Sequence, residues 1–261
     1  MTARSVAGAL ALLFAATTAL SACAQASADT DGLTWGGEAH SGFAVMTRLT
    51  GEGAEALNGL FDRLDAAAAE DRAYCLSSEN GNTEYDRIIR APFTGPRFLS
   101  VTVNASYYCG GAHPSVDIRP MTFDRETGGL PDWAALWPGG GITASTDGHG
   151  NLPAVSREPV LTNWFRAAVR ADPASDAEWL AQCDPWYGDA PMEDAPVMIW
   201  LDAETGGVGM DWASLPHAAM ACGSPRIMPI EDAARLGASD TLISALRQGH
   251  ADRAFHAPSA N

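Results

Sequence analysis

Lysine is absent from this chain. All sixteen cations are arginines, and against 32 acidic residues they leave a net charge of −16. A surface that acidic repels phosphate backbones, which excludes nucleic acid as a natural partner. After the first twenty residues no long apolar run occurs, so a polytopic membrane protein is excluded too. Five cysteines in 261 residues are too few for a small disulfide scaffold, and 16 Pro with 26 Gly are too few for a collagen-like or disordered chain. The sequence also lacks a G-x-S-x-G elbow, an H-E-x-x-H helix, a P-loop and a dinucleotide fingerprint. No cofactor is implied. With 46% hydrophobic and 18% charged residues, what remains is a globular protein.

The N-terminus reads as an address. Arg4 is the sole charge before an apolar stretch from Val6 to Leu20, which ends in Leu20-Ser21-Ala22-Cys23. A short cationic segment, an apolar segment and small residues at the cut describe a secretory signal peptide over residues 1–22. The four residues ending in Cys23 resemble a bacterial lipobox. That resemblance implies cleavage before Cys23, lipidation of its thiol and acylation of its new amine. An ordinary signal peptide cut beside Ala22, Ala24 or Ala26 is the alternative. Removing residues 1–22 takes away one Arg and leaves 32 acids against 15 Arg, a charge of −17. Several acyl chains hold a protein firmly on a bilayer. Ala24 follows the cysteine, which in diderm lipoproteins points to the outer membrane. The expected setting is the bacterial cell envelope, facing the periplasm, with residues 23–39 as a tether.

Four cysteines then remain: Cys75, Cys109, Cys183 and Cys222. An even number in an exported chain implies disulfides, and four allow three pairings. The spacing favours Cys75–Cys109 and Cys183–Cys222, each local in sequence. A metal site is the rival, because His113 follows Cys109 by four residues and His217 precedes Cys222 by five. Neither spacing is a CxxC knuckle, and an oxidising compartment favours cystine.

Periodicity predicts an α+β fold, an antiparallel or mixed sheet with hairpins and flanking helices. Ser41–Thr50 reads as a strand. Ala54, Leu57, Leu60, Phe61 and Leu64 recur at helical spacing within a helix over 53–70. Tyr85–Ala91, Arg97–Tyr108, Val116–Phe123, Pro196–Asp202, Gly207–Asp211 and Arg226–Ile230 read as strands. Pro138–Pro159 reads as a long loop. Leu161–Arg170, Ser175–Gln182, Glu231–Leu236 and Asp240–Gln248 read as helices, the last capped by Asp240. One domain is expected over 40–248, with two subdomains divided near 138–159 as the alternative, and a flexible tail over 249–261.

One segment echoes another. Asp124-Arg-Glu126-Thr127-Gly128-Gly129 precedes Asp132-Trp133-Ala-Ala-Leu136, and Asp202-Ala-Glu204-Thr205-Gly206-Gly207 precedes Asp211-Trp212-Ala-Ser-Leu215. Hairpin geometry accounts for both copies, with Gly supplying positive φ and Asp and Thr bonding back to the backbone. Calcium held by Asp124, Glu126, Asp202 and Glu204 is the alternative, although the EF-hand pattern is missing.

Tyr107-Tyr108-Cys109-Gly110-Gly111-Ala112-His113-Pro114, followed by Phe123-Asp124, Thr127-Gly128 and Leu136, resembles the core signature of a bacterial extracytoplasmic domain. That domain occurs in the sensor region of RsiV-type lysozyme-binding anti-sigma factors and beside the catalytic domain of PdaC-type peptidoglycan deacetylases. Leu215-Pro216-His217-Ala218 and Pro225–Ile230 resemble its closing elements, so the likeness spans about residues 40–248. The resemblance implies an RsiV-like α+β fold and an envelope location. The chain shows no sigma-binding segment, internal transmembrane helix or deacetylase domain, so signalling and deacetylation are not implied.

Gly110, Gly111, His113 and Pro114 are the candidate ligand-contacting residues, because glycine lets a partner's backbone approach closely. The structural alternative is a β-bulge whose His113 bonds the neighbouring backbone or Asp117. For acid–base chemistry, His113 with Asp117 or Asp124 is the constellation available. The expected role is non-catalytic binding of a cell-wall component such as peptidoglycan, or of a cationic protein such as lysozyme, steered by the acidic surface. A cell-wall hydrolase built on His113 and a purely structural lipoprotein are the alternatives. Trp133, Trp137, Trp186 and Trp212 lie beside Pro or Gly turns and are candidate exposed sugar platforms. Trp164, Trp179 and Trp200 sit in helix or strand patterns and are assigned to the core.

Overall fold

The computed structural model describes residues 42–51, 54–78, 82–144, 153–188 and 195–256. Cys23, the signal segment, the whole tether and residues 257–261 lie outside the described residues, as do residues 145–152.

The fold is α+β, with two antiparallel sheets stacked between helices. The first sheet is a meander of β1 (Glu84–Thr94), β2 (Phe98–Tyr108) and β3 (Ser115–Asp124). Its outer face carries Ile89, Leu99, Val101, Met121 and Phe123, which pack on Leu57, Phe61 and Leu64 of α1 (Ala54–Leu76). Phe61 meets Phe123 edge-on with ring centroids 5.2 Å apart. The helix runs past the predicted end at Glu70, and Cys75 in its last turn is bonded to Cys109 just beyond β2. Pro120 is tolerated because β3 is an edge strand, and Pro92 lies where the β1–β2 register shifts.

Residues 42–50 form no strand. Their one ladder contact is a parallel bridge from Phe43 to Arg87. The backbone N–H groups that a sheet would pair are taken by side chains of α1 instead. Met46 N–H donates to the Asp65 carboxylate, and Leu49 N–H donates to Asn58 Oδ1. Arg87, 3% exposed, donates to Asp65 at 2.7 Å and to the Ala44 carbonyl at 2.8 Å.

The second sheet runs in sequence order: β4 (Thr143–Ala144), β5 (Ala154–Ser156), β6 (Val197–Asp202), β7 (Gly207–Trp212) and β8 (Arg226–Met228). The segment predicted as a long loop thus contains two strands, too short for alternation to register in sequence. Val197, Ile199, Leu201, Val208, Met210 and Trp212 share the main core with helices on one side of this sheet. Those helices are α3 (Pro159–Ala171), α5 (Asp184–Tyr187), α6 (Ile230–Arg235) and α7 (Asp240–His256), joined by α2 (Trp133–Leu136) and α4 (Ala177–Gln182). Helix α7 runs through Gly249 to His256, where the sequence suggested a tail. Cys183, between α4 and α5, is bonded to Cys222 at the end of a 3-10 turn over His217–Cys222.

Both cystines therefore follow the local pairing. Each closes a loop of 34 or 39 residues, worth about 4 kcal/mol in the chain-entropy model. Among the described residues no helix is long and apolar enough to cross a membrane.

Candidate functional site

Strand alternation decides which side chains face the space between the sheets. On β6, Val197, Ile199 and Leu201 point to the helices, so Met198, Trp200 and Asp202 point the other way. Their partners on β7 are Asp211, Gly209 and Gly207. On the first sheet, Leu99, Val101 and Val103 face α1, which turns Ser100, Thr102 and Asn104 toward the second sheet, with Arg90 opposite Thr102 and Ile118 opposite Asn104.

At one end the two sheets touch. The Ser100 hydroxyl pairs with Thr122 Oγ1 at 2.8 Å and accepts from Leu201 N–H at 3.1 Å, and Ala203 N–H donates to the Pro92 carbonyl. At the other end they part and enclose a cleft of about 1020 Å³. Its walls include Arg90, Thr102, Asn104, Met198, Trp200 and Asp211.

The floor is built around Trp200. A Cβ on Gly209 would lie 1.9 Å from Trp200 Cε2, so the indole lies against the bare backbone of β7. The ring is half-buried. Asp211 beside it is 8% exposed, and its Oδ1 accepts N–H bonds from Trp212 and Ser224. Burial pushes its carboxyl up to about 6, against the downward pull of those two N–H groups and of Arg226. From the opposite wall, Asn104 Oδ1 is buried without a hydrogen-bond partner. Arg90 is exposed and makes no ion pair among the described residues, whereas Arg253 bridges Glu204 at 3.3 Å.

The loop 110–114 connects β2 to β3 and is exposed from Gly111 onward. Gly110 takes φ 83°, a conformation that favours glycine, and Gly111 does not. This is a hairpin connection rather than a bulge. His113 bonds neither the local backbone nor Asp117. It stacks on His217 with centroids 3.6 Å apart, and His217 Nε2 lies 3.2 Å from the Pro114 carbonyl. Val116 and Ile118, which follow the loop, and Met220, which follows His217, line the cleft with unusually exposed apolar side chains. The stacked pair therefore stands at the cleft's rim.

The acid–base constellation suggested for His113 is not assembled. Asp117 accepts from Arg119, and Asp124 is buried against Arg97 at 3.0 Å. Asp124 also closes the far end of β3, roughly 30 Å of strand away from His113. Of the four acids of the sequence echo, Asp124 and Asp202 serve their turns, whereas Glu126 pairs with Arg97 and Glu204 with Arg253. Asp124 accepts from Glu126 N–H and Asp202 from Thr205 N–H and Oγ1, with Gly128 at φ 69° and Gly206 at φ 70°. Cys109 and Cys222 are in cystines, and among the described residues no group of three or more His, Cys, Asp or Glu is placed to hold a metal ion.

The four tryptophans expected at the surface are in the core, and of the three assigned to the core Trp164 and Trp179 pack against it. Trp133, Trp137, Trp186 and Trp212 are buried, because the turns beside them fold back onto the helices, while Trp164, Trp179 and Trp200 are each half-buried. Of these, Trp200 reaches the cleft. Period-two counting from Val197, Ile199 and Leu201 carried that signal. Asp211 and Asn104 had none, since both depend on how the two sheets stack.

No family model and no curated protein sequence matches the chain. Among solved structures it is similar to a DUF3298 family member from Bacteroides fragilis, at 16% identity and a TM-score of 0.44, covering 73% of this chain and 68% of that one. It is also similar to a DUF3298 family protein from Pseudomonas aeruginosa, at 14% identity and a TM-score of 0.36, covering 67% and 70% respectively.

Proposed function

We propose that this chain is an exported bacterial envelope protein, anchored through lipidated Cys23, whose inter-sheet cleft binds cell-wall material without turning it over. The observation that carries this reading is the cleft itself. It is a cavity of about 1020 Å³ with an aromatic floor, apolar side chains at its rim and, in Asn104 Oδ1, a buried acceptor that finds no partner among the described residues. Small-ligand sites of about 300–1,000 Å³ combine the same features. Export is supported by the lipobox-like Leu20–Cys23 and by two cystines, which persist in oxidising compartments. Ala24 favours the outer membrane, with the domain facing the periplasm. Gly110, Gly111, His113 and Pro114 contribute the rim against which a polymer would rest.

Capture of a basic protein such as a lysozyme is the second reading, favoured by the charge of −17 on the processed chain and by the resemblance of the Tyr107–Pro114 motif. The two separate experimentally. Purified domain is mixed with insoluble peptidoglycan and, separately, with immobilised lysozyme, at low and high salt. Retention on peptidoglycan that survives high salt supports cleft binding. Capture by lysozyme alone, lost with salt, supports electrostatic steering instead. Retention by neither overturns both and leaves a structural lipoprotein. Metabolic labelling with a fatty-acid analogue, abolished in Cys23→Ser, tests the anchor.

A further inference from the structure

Resting on the reading that the cleft binds cell-wall material, we propose that its occupant is a saccharide chain, one ring lying on the Trp200 indole and its hydroxyl and carbonyl substituents held by Asp211, Asn104 and Arg90. The chemistry on each wall is what a sugar presents in reverse. A pyranose has an apolar face of C–H groups and an equatorial belt of hydroxyls. An indole flattened on a glycine offers the first a broad, rigid contact.

The belt needs acceptors and donors set around that platform. Asp211, nearly buried on the neighbouring strand, commits Oδ1 to two backbone N–H groups, and among the described residues no hydrogen bond uses Oδ2. Asn104 Oδ1 is a buried acceptor with no partner, projecting from the opposite sheet. Leaving such a group unmet carries the full penalty of desolvation, which a ligand hydroxyl removes. Arg90, without an ion pair among the described residues, supplies donors for an acyl carbonyl or a carboxylate.

Size and charge narrow the class further. The cleft lies at the upper end of the range for small-ligand sites, about 1,000 Å³, so it has room for several rings. Arg90, Arg157 and Arg253 line it together with Asp202, Glu204 and Asp211, so it lacks the single-sign field that a strongly basic protein would need.

Titration calorimetry with three probes tests the proposal: an N-acetylglucosamine tetramer, glycan strands stripped of their peptides by an amidase, and the free stem peptide. Binding of the tetramer or the stripped strands is expected, weakened tenfold or more in Trp200→Ala and in Asn104→Ala. Tyr74→Ala, an exposed aromatic on α1, should bind as wild type. Far-UV circular dichroism and thermal melting establish that each variant is folded. Binding of glycan with wild-type affinity in folded Trp200→Ala overturns the platform. Binding of the stem peptide but not of glycan overturns the saccharide while leaving a cell-wall ligand in place. Binding of none of the probes, in a protein that also fails to sediment with intact peptidoglycan, overturns the cleft reading itself.

Discussion

The imidazole of His113 lies over that of His217, 3.6 Å between ring centroids and 20° from parallel. One belongs to the loop of the first sheet and the other to the 3-10 turn between β7 and β8 of the second, so the pair ties the sheets together at the rim of the cleft. A stacked pair of this kind adds about 0.5–1.5 kcal/mol beyond the area it covers. A double-mutant cycle with His113→Ala and His217→Ala, read by urea unfolding, should recover a coupling of that size. Strictly additive losses would mean that the rings do not touch in solution.

Asp211 makes stability depend on pH. Its carboxyl titrates near 6 in the folded protein against 3.8 when free, so between those values the folded state holds the proton more tightly. That contribution is complete below about pH 4 and is lost as pH rises through about 6, a change of about 3 kcal/mol. Asp211→Asn keeps the oxygen that accepts from Trp212 and Ser224 but cannot ionise. Urea unfolding at pH 4.5 and 7.5 should show wild type losing more stability than this variant as pH rises. Identical pH slopes would refute the assignment.

Gly209 is required by the indole lying on it. In Gly209→Ala the new methyl falls 1.9 Å from Trp200 Cε2, and the ring must leave its seat. A cost of about 1–3 kcal/mol is expected from the overpacking. Near-UV circular dichroism should change with it, while the far-UV spectrum stays native.

Asp65 neutralises Arg87 beneath the segment 42–50. Removing it in Asp65→Ala leaves a guanidinium that is 3% exposed without its carboxylate, and it strips Met46 N–H of its acceptor. Chemical denaturation should register a loss of about 3–5 kcal/mol. Replacing the exposed Asp62, which pairs with Arg48 at the surface, should cost under about 1 kcal/mol.

The Cys183–Cys222 cystine fastens the α4–α5 junction to the 3-10 turn that carries His217. Cys183→Ala with Cys222→Ala should destabilise the protein by about 4 kcal/mol through the freed loop of 39 residues. Thermal melting of wild type under reducing conditions should fall by a comparable amount or more.

Local chemistry was enough to determine much of this protein. Three-and-four spacing of Leu57, Phe61 and Leu64 set α1, alternation set β2, and short apolar runs marked β6 and β7. The echoed Asp-x-Glu-Thr-Gly-Gly segments set two turns, each with glycine at positive φ. Cysteine spacing favoured two local cystines. Short-range signals failed where the partner was remote. Residues 42–50 look like a strand until Asp65 and Asn58 take their N–H groups, and β4 and β5 are too short to show a period. The cleft was decided by tertiary structure alone. Periodicity assigns each strand two faces, but only the stacking of the two sheets brings Asn104 across from Trp200, buries Asp211 enough to raise its carboxyl, and sets His113 on His217. Those effects arise between elements distant in sequence, where desolvation and close contact act and no local pattern records them.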